Sequence, residues 1–165
     1  MGITGPHFSE AELACHHGIN GCTQALVDAA EGLRDALAND WAKKFRRADE
    51  ALCDAFKRCP GMRVNDAFRC PKCNGLLKNA ATHSQHLLGN AMDFEVEGMT
   101  GAELEAAARR IPTIRGIGRS DHSNYLHIDV RPALVLVAWC YDAAGKEILY
   151  YAPRENDGDH GRIDS

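Results

Sequence analysis

Two stretches hold the residues best suited to chemistry: Ser84-Gln85-His86-Leu87-Leu88-Gly89-Asn90-Ala91-Met92-Asp93 and Tyr125-Leu126-His127-Ile128-Asp129-Val130-Arg131. Both set polar side chains among apolar ones, which a solvated loop does not need. Two imidazoles, His86 and His127, with the carboxylate of Asp93 make a standard set for a catalytic zinc, which takes three protein ligands and leaves a fourth position to water. Zn2+ brings such a water's pKa near neutrality, so the chemistry expected is hydrolysis.

The spacing says how the chain must carry them. His86 and Asp93 are too far apart for a single helical clamp, and Gly89 lies between them. His86 is therefore expected on a loop or helix end that turns at Gly89 into a strand, Ala91–Val96. In that strand Asp93 and Glu95 share one face and Met92, Phe94 and Val96 the other. In the second stretch Tyr125, His127, Asp129 and Arg131 share a face, opposite Leu126, Ile128 and Val130. The apolar face belongs in the core. Neighbouring strands would then bring Asp93 to His127, and His86 would close the triangle.

The pattern Ser-x-His-x-x-Gly-x-Ala-x-Asp, followed by an aromatic-hydrophobic-His-x-Asp-x-Arg strand, resembles the zinc D-Ala-D-Ala carboxypeptidase family. That group includes phage endolysin peptidases and the hedgehog signalling domain. The resemblance runs from about Phe8 to Trp139. Phe8-Ser9-Glu10-Ala11-Glu12-Leu13 is similar to the family's opening helix, Phe68-Arg69-Cys70-Pro71 to a strand-end motif, and Gly116-Ile117-Gly118 to the stretch before the last ligand. The resemblance implies an α+β fold, a small mainly antiparallel sheet with flanking helices. It also implies zinc on His86, Asp93 and His127, and peptide hydrolysis in peptidoglycan stem or cross-link peptides by a carboxypeptidase or an endopeptidase. A phage or prophage origin would fit.

It assigns further roles. Arg69 matches an arginine that grips substrate or the developing oxyanion, with a structural pairing to Asp93 or Glu95 as the alternative. Ser84 either donates to substrate or caps its own turn. Asp129 would orient an imidazole or pair with Arg131. Asn74 matches a structural asparagine. Departures stand beside these. Asn79-Ala80 occupies the place of a common Gly-Gly pair, and Asp40 to Cys59 reads as an inserted helix. Many relatives carry an acidic or histidine base two or three residues before the last ligand, where this chain has Asn124 and Tyr125. Asp121 and His122 are the nearest titratable groups that could take that role. Without a base, the alternative is a non-catalytic zinc protein that binds cell wall or serves in a phage structure.

Composition sets bounds. With 165 residues, the chain has the length of one core, 1–152, large enough to fold without staples, and the polar stretch 153–165 reads as a tail. A net charge of −4 gives no electrostatic case for nucleic acid or an anionic membrane. No stretch approaches the roughly 18 apolar residues of a membrane span. The first residues lack the basic start and apolar run of a secretory signal, so a cytoplasmic product that reaches the wall or periplasm after release is expected, acting as a monomer on peptidoglycan peptide.

Seven cysteines are many for this length. Six fall into local pairs, Cys15/Cys22, Cys53/Cys59 and Cys70/Cys73, with Cys140 left over. Cys70-Pro71-Lys72-Cys73 has half the spacing of a structural zinc site, and Cys15 with Cys22 is a loose second half. Disulfides and free buried thiols compete with that reading, which is not favoured. His7, His16, His17 and His160 read as surface residues, and His83 as one that could lie near the site.

The remaining elements follow from period and caps. Ser9 with Glu12, and Thr100 with Glu103, are capping boxes. Helices are expected over Thr23–Leu37 and Asp40–Arg58, the second broken by Pro60-Gly61. Strands are expected at Met62–Phe68, Ile114–Ile117, Tyr125–Val130, Ala133–Tyr141 and Glu147–Ala152, the last two joined by a turn at Asp142–Gly145.

Overall fold

The computed structural model describes residues 3–45, 62–77, 81–120, 122–144 and 146–150. Helix α1 (Glu10–Leu13) opens on the expected capping box, Ser9 and Glu12 each satisfying the other's backbone N–H. Helix α2 then runs unbroken from Gln24 to Phe45. Two helices were expected there, but Asn39-Asp40 is no break. The buried stripe Leu26, Ala30, Leu33 and Leu37 continues by one more turn to Trp41, whose indole N–H donates to the Glu97 carbonyl at 3.1 Å. The rest of the expected inserted helix, with Pro60-Gly61, Asn79-Ala80, the Cys53/Cys59 pair and the 153–165 tail, lies outside the described residues.

Strands β1 (Met62–Asp66), β2 (Ala91–Val96), β3 (Gly116–Ser120), β4 (Tyr125–Asp129), β5 (Val137–Tyr141) and β6 (Glu147–Tyr150) form one sheet in the order β1-β2-β4-β3-β5-β6. All neighbours are antiparallel except β3 and β5. Short helix α3 (Pro71–Gly75) follows β1, a 3₁₀ turn (Gln85–Leu88) precedes β2, and α4 (Gly101–Ala108) lies between β2 and β3. The expected α+β class with a mainly antiparallel sheet is the one found.

The sheet has two faces with opposite uses. Met92, Phe94, Ile117, Leu126 and Ile128 are fully buried and cluster with Leu26, Leu33 and Leu37 of α2 and Leu104 of α4. The other face carries the polar residues of β2 and β4. Strand β3 begins later than expected and runs to Ser120, because its glycines and Arg119 hide a strand from propensity alone. Strand β5 begins at Val137, after the Pro132 stretch in which Leu134 is 97% exposed.

Candidate metal centre

His86 sits on the 3₁₀ turn, capped by Ser84, whose hydroxyl accepts from the His86 N–H at 3.3 Å. The turn ends at Gly89, in the left-handed region at φ 69°, where a Cβ would also meet the Gly21 carbonyl oxygen at 1.8 Å. Only glycine serves both demands. Chain direction reverses there and feeds Asn90 into β2, as the spacing required.

Register then does the assembly. Asp93 lies directly opposite His127 in the β2–β4 pair. Asp93 Oδ1 is 2.7 Å from His127 Nδ1, and Asp93 Oδ2 is 3.3 Å from His86 Nε2. The two imidazoles meet edge-on, 67° between their planes, with His86 Nε2 and His127 Nδ1 3.3 Å apart. Separations on the order of 3.3 Å are what four-coordinate zinc–nitrogen and zinc–oxygen bonds demand. The three sequence-expected ligands thus come together with one donor atom each turned to a common point.

Neighbouring groups fix which nitrogen is the donor. His86 Nδ1–H donates to the Ala67 carbonyl at 2.7 Å, which leaves the Nε2 lone pair facing inward. His127 Nε2–H donates to Asp129 Oδ2 at 3.2 Å, which leaves Nδ1 facing Asp93 and His86. Asp129 is fully buried and takes two further bonds from the Arg131 side chain, through Nε at 2.7 Å and Nη2 at 2.5 Å. Burial raises the Asp129 carboxyl, but Arg131 and His127 outweigh it and hold the pKa at about 2. Burial likewise disfavours His127's charge, yet Asp93 and Asp129 push it up to about 9. Asp93, despite burial, is held below the usual carboxylate range by His127 and His86. The carboxylates that favour a proton on His127 would equally favour a divalent cation in its place.

Glycine makes room on the same face. The cross-sheet row Asp93, His127, Gly118, Trp139 and Leu149 runs over β2, β4, β3, β5 and β6. A Cβ at Gly118 would lie 2.6 Å from the Trp139 ring, and one at Gly116 would lie 2.1 Å from Asp129 Oδ2. The Gly-Ile-Gly stretch is therefore a steric requirement. It lets Trp139 lie 5.2 Å from the His127 ring, centroid to centroid, and lets the Asp129 carboxylate reach His127.

The other sequence-expected residues divide. Arg69 is anchored by Asp66, at 2.7 Å through Nε and 2.6 Å through Nη2, and donates to Asn74 Oδ1 at 3.2 Å. Its Nη2 stands 3.9 Å from Asp93 Oδ2, so the guanidinium borders the metal ligands. Arg69, Ser84 and His83 line the cavity of about 670 Å³ that contains all three ligands. His122 does not. It is exposed in the β3–β4 turn, beside Ser123 and Asn124, which line a different cavity with Glu95–Thr100. Asp121 lies outside the described residues.

Two residues were missed. Glu147 of β6 lines the ligand cavity. It is brought there by its pairing with Tyr141, which stacks on Tyr125. Alternation along β6 was the only sequence signal. His17 is exposed, as expected of a surface residue, but its Nδ1 lies 3.0 Å from Cys73 Sγ and it groups with Cys15, Cys70 and Cys73. Cys22 is not in that group. Its thiol donates to the Leu13 carbonyl, and burial pushes its pKa up to about 11.

Among the described residues no helix is long and apolar enough to cross a membrane. A family model described as Peptidase M15 matches residues 6–129. Curated relatives include the peptidoglycan L,D-endopeptidase MepK of Escherichia coli strain K12 and that of Shigella flexneri. Each is 30% identical, over 56% of this chain and 56% of the relative, so the match spans about half the length of those proteins. With the family's extent covering both histidines and the aspartate of the site, the chain belongs to the peptidase M15 family.

Proposed function

We propose that this chain is a zinc peptidase that cuts peptide bonds in peptidoglycan stem or cross-link peptides at the cell wall. The observation that carries the reading is the convergence of three donor atoms, His86 Nε2, an Asp93 oxygen and His127 Nδ1, in one cavity. Nitrogen and oxygen donors in a set of three suit catalytic zinc, and bound there the ion would supply Lewis acidity toward a water and a peptide carbonyl.

The chain's own groups do the rest. Asp66 and Asn74 hold the Arg69 guanidinium at the edge of the ligands, where it donates to the oxygen that gains charge as the carbonyl is attacked. Trp139 and Leu149 form an apolar wall for the peptide's side chains. Burial, then Tyr141 and Asp93, keep the Tyr125 phenol far above its ordinary pKa, so it stays protonated and serves as a donor. Asp129 and Arg131 are locked to each other and to His127, so Asp129 orients an imidazole and takes up no proton near neutral pH. Glu147 lines the cavity and is the carboxylate we assign as proton acceptor, ahead of Asp121 and His122. Ser84 caps the His86 turn.

The L,D-endopeptidase name of the relatives favours internal cleavage over removal of a terminal D-Ala. Incubating zinc-loaded protein with purified muropeptides and mapping the new amines by mass spectrometry separates these. New amines inside a cross-link or stem establish an endopeptidase, and release of free D-Ala alone a carboxypeptidase. No product from either substrate class favours the non-catalytic binding reading, which draws on Asn124 standing where relatives carry a base.

A further inference from the structure

We infer that Cys15, His17, Cys70 and Cys73 form a second metal site, a closed structural zinc that clamps the N-terminal segment to the strand end carrying Arg69. The four ligand atoms lie within 4.8 Å of one another. His17 Nδ1 is 3.0 Å from Cys73 Sγ and 3.4 Å from Cys70 Sγ. Bonds of about 2.3 Å to sulfur and 2.0 Å to nitrogen put tetrahedral ligands on the order of 3.5–3.8 Å apart, so the cluster closes on an ion with small adjustments. Three cysteines and one histidine are a full structural set with no open position, unlike the His86, Asp93 and His127 site.

Local structure presents the ligands as two knuckles. Cys15 and His17 sit on a tight turn closed by the Gly18 N–H to the Cys15 carbonyl at 2.8 Å. Cys70 caps α3, with Pro71 at its first turn, and its sulfur accepts from the Cys73 N–H at 3.5 Å. The three sulfurs are free: no disulfide joins the described cysteines, and any disulfide among three would leave one sulfur over.

The clamp has a mechanical consequence. Phe68 packs against the three cysteines, and its N–H donates to the Leu13 carbonyl at 3.3 Å. The adjacent Ala67 carbonyl receives His86 Nδ1–H, and the Arg69 N–H donates to the His86 carbonyl at 3.0 Å. An ion on Cys70 therefore fixes the backbone from which the catalytic-site histidine and Arg69 are oriented.

The test counts metal and reads its ligands. Protein grown with zinc and purified under reducing conditions should hold two equivalents per chain. The His86→Ala/His127→Ala double variant should keep one, and its cobalt form should show a thiolate-to-cobalt charge-transfer band, which the sulfur-free site cannot give. In wild-type protein, His17→Ala and Cys73→Ser should each weaken or abolish that band. The double variant carries the spectrum even if the cysteine variants fail to fold, and the reading stands apart from whether the chain is a peptidase. A double variant with no metal and no such band, or a non-reducing peptide map joining any two of Cys15, Cys70 and Cys73, overturns it.

Discussion

Replacing Asp129 by asparagine should damage the metal centre without touching a metal ligand. The Asp129 carboxylate accepts from the Arg131 backbone N–H at 3.1 Å, from Arg131 Nε and Nη2, and from His127 Nε2. All four partners are donors. An asparagine keeps one acceptor oxygen and turns an NH₂ toward donors whichever way the amide lies. Stripping one partner from a buried ion pair costs about 3–5 kcal/mol. The Arg131 side chain is 28% exposed and water recovers part of that, so about 2–4 kcal/mol is expected. Freeing the His127 tautomer should weaken zinc binding about 10–100-fold, equal to about 1.4–2.7 kcal/mol. The pH dependence has a definite sign. Asp129 is depressed to about 2, so its stabilisation is present above the unfolded value near 3.9 and fades as pH falls through about 2. The stability gap between wild type and variant should close over that window. Guanidinium denaturation at several pH values and zinc competition against a chelator measure both quantities. A variant with wild-type midpoint and zinc affinity within twofold would falsify the orienting role.

Gly118→Ala should cost about 1–3 kcal/mol by forcing Trp139 off the sheet, and Gly116→Ala should also lower zinc affinity by displacing Asp129; denaturation midpoints and chelator competition report the two effects. Arg69→Ala should keep near-full metal yet cut turnover by roughly a hundredfold or more if Arg69 serves the oxyanion. A lower melting temperature with unchanged turnover per folded molecule would instead make Arg69 a structural partner of Asp66. Glu147→Gln should lower kcat by on the order of 10²–10⁴, while zinc content stays the same. Full activity in Glu147→Gln, with loss in an Asp121→Asn/His122→Ala double variant, would return the base to the β3–β4 turn.

The sequence made the candidate ligands legible because the sheet's two-residue period exposes them. His127 and Asp93 each sit on the polar face of a strand whose other face is fully apolar, and once those strands pair, facing residues must meet. His86 was legible through Gly89, which only a reversal of direction explains. What escaped was everything set by packing between segments distant in the chain. His122 looked well placed because it precedes His127 closely, but closeness along a strand is not closeness across it. Each residue back from His127 moves about 3.3 Å along the strand, and the turn falls beyond the sheet's end, beside Glu95–Thr100. Glu147, twenty residues further on, returns to the site because the β5–β6 hairpin folds it back beside Tyr141. His17's grouping escaped for a related reason, since Cys70 and Cys73 lie more than fifty residues away at the start of α3 and Cys22 offered a nearer cysteine of the right type. The candidate ligands are thus written in local pattern, whereas the contacts that orient them are written in register between strands, as the glycine pair beneath Trp139 and Asp129 shows.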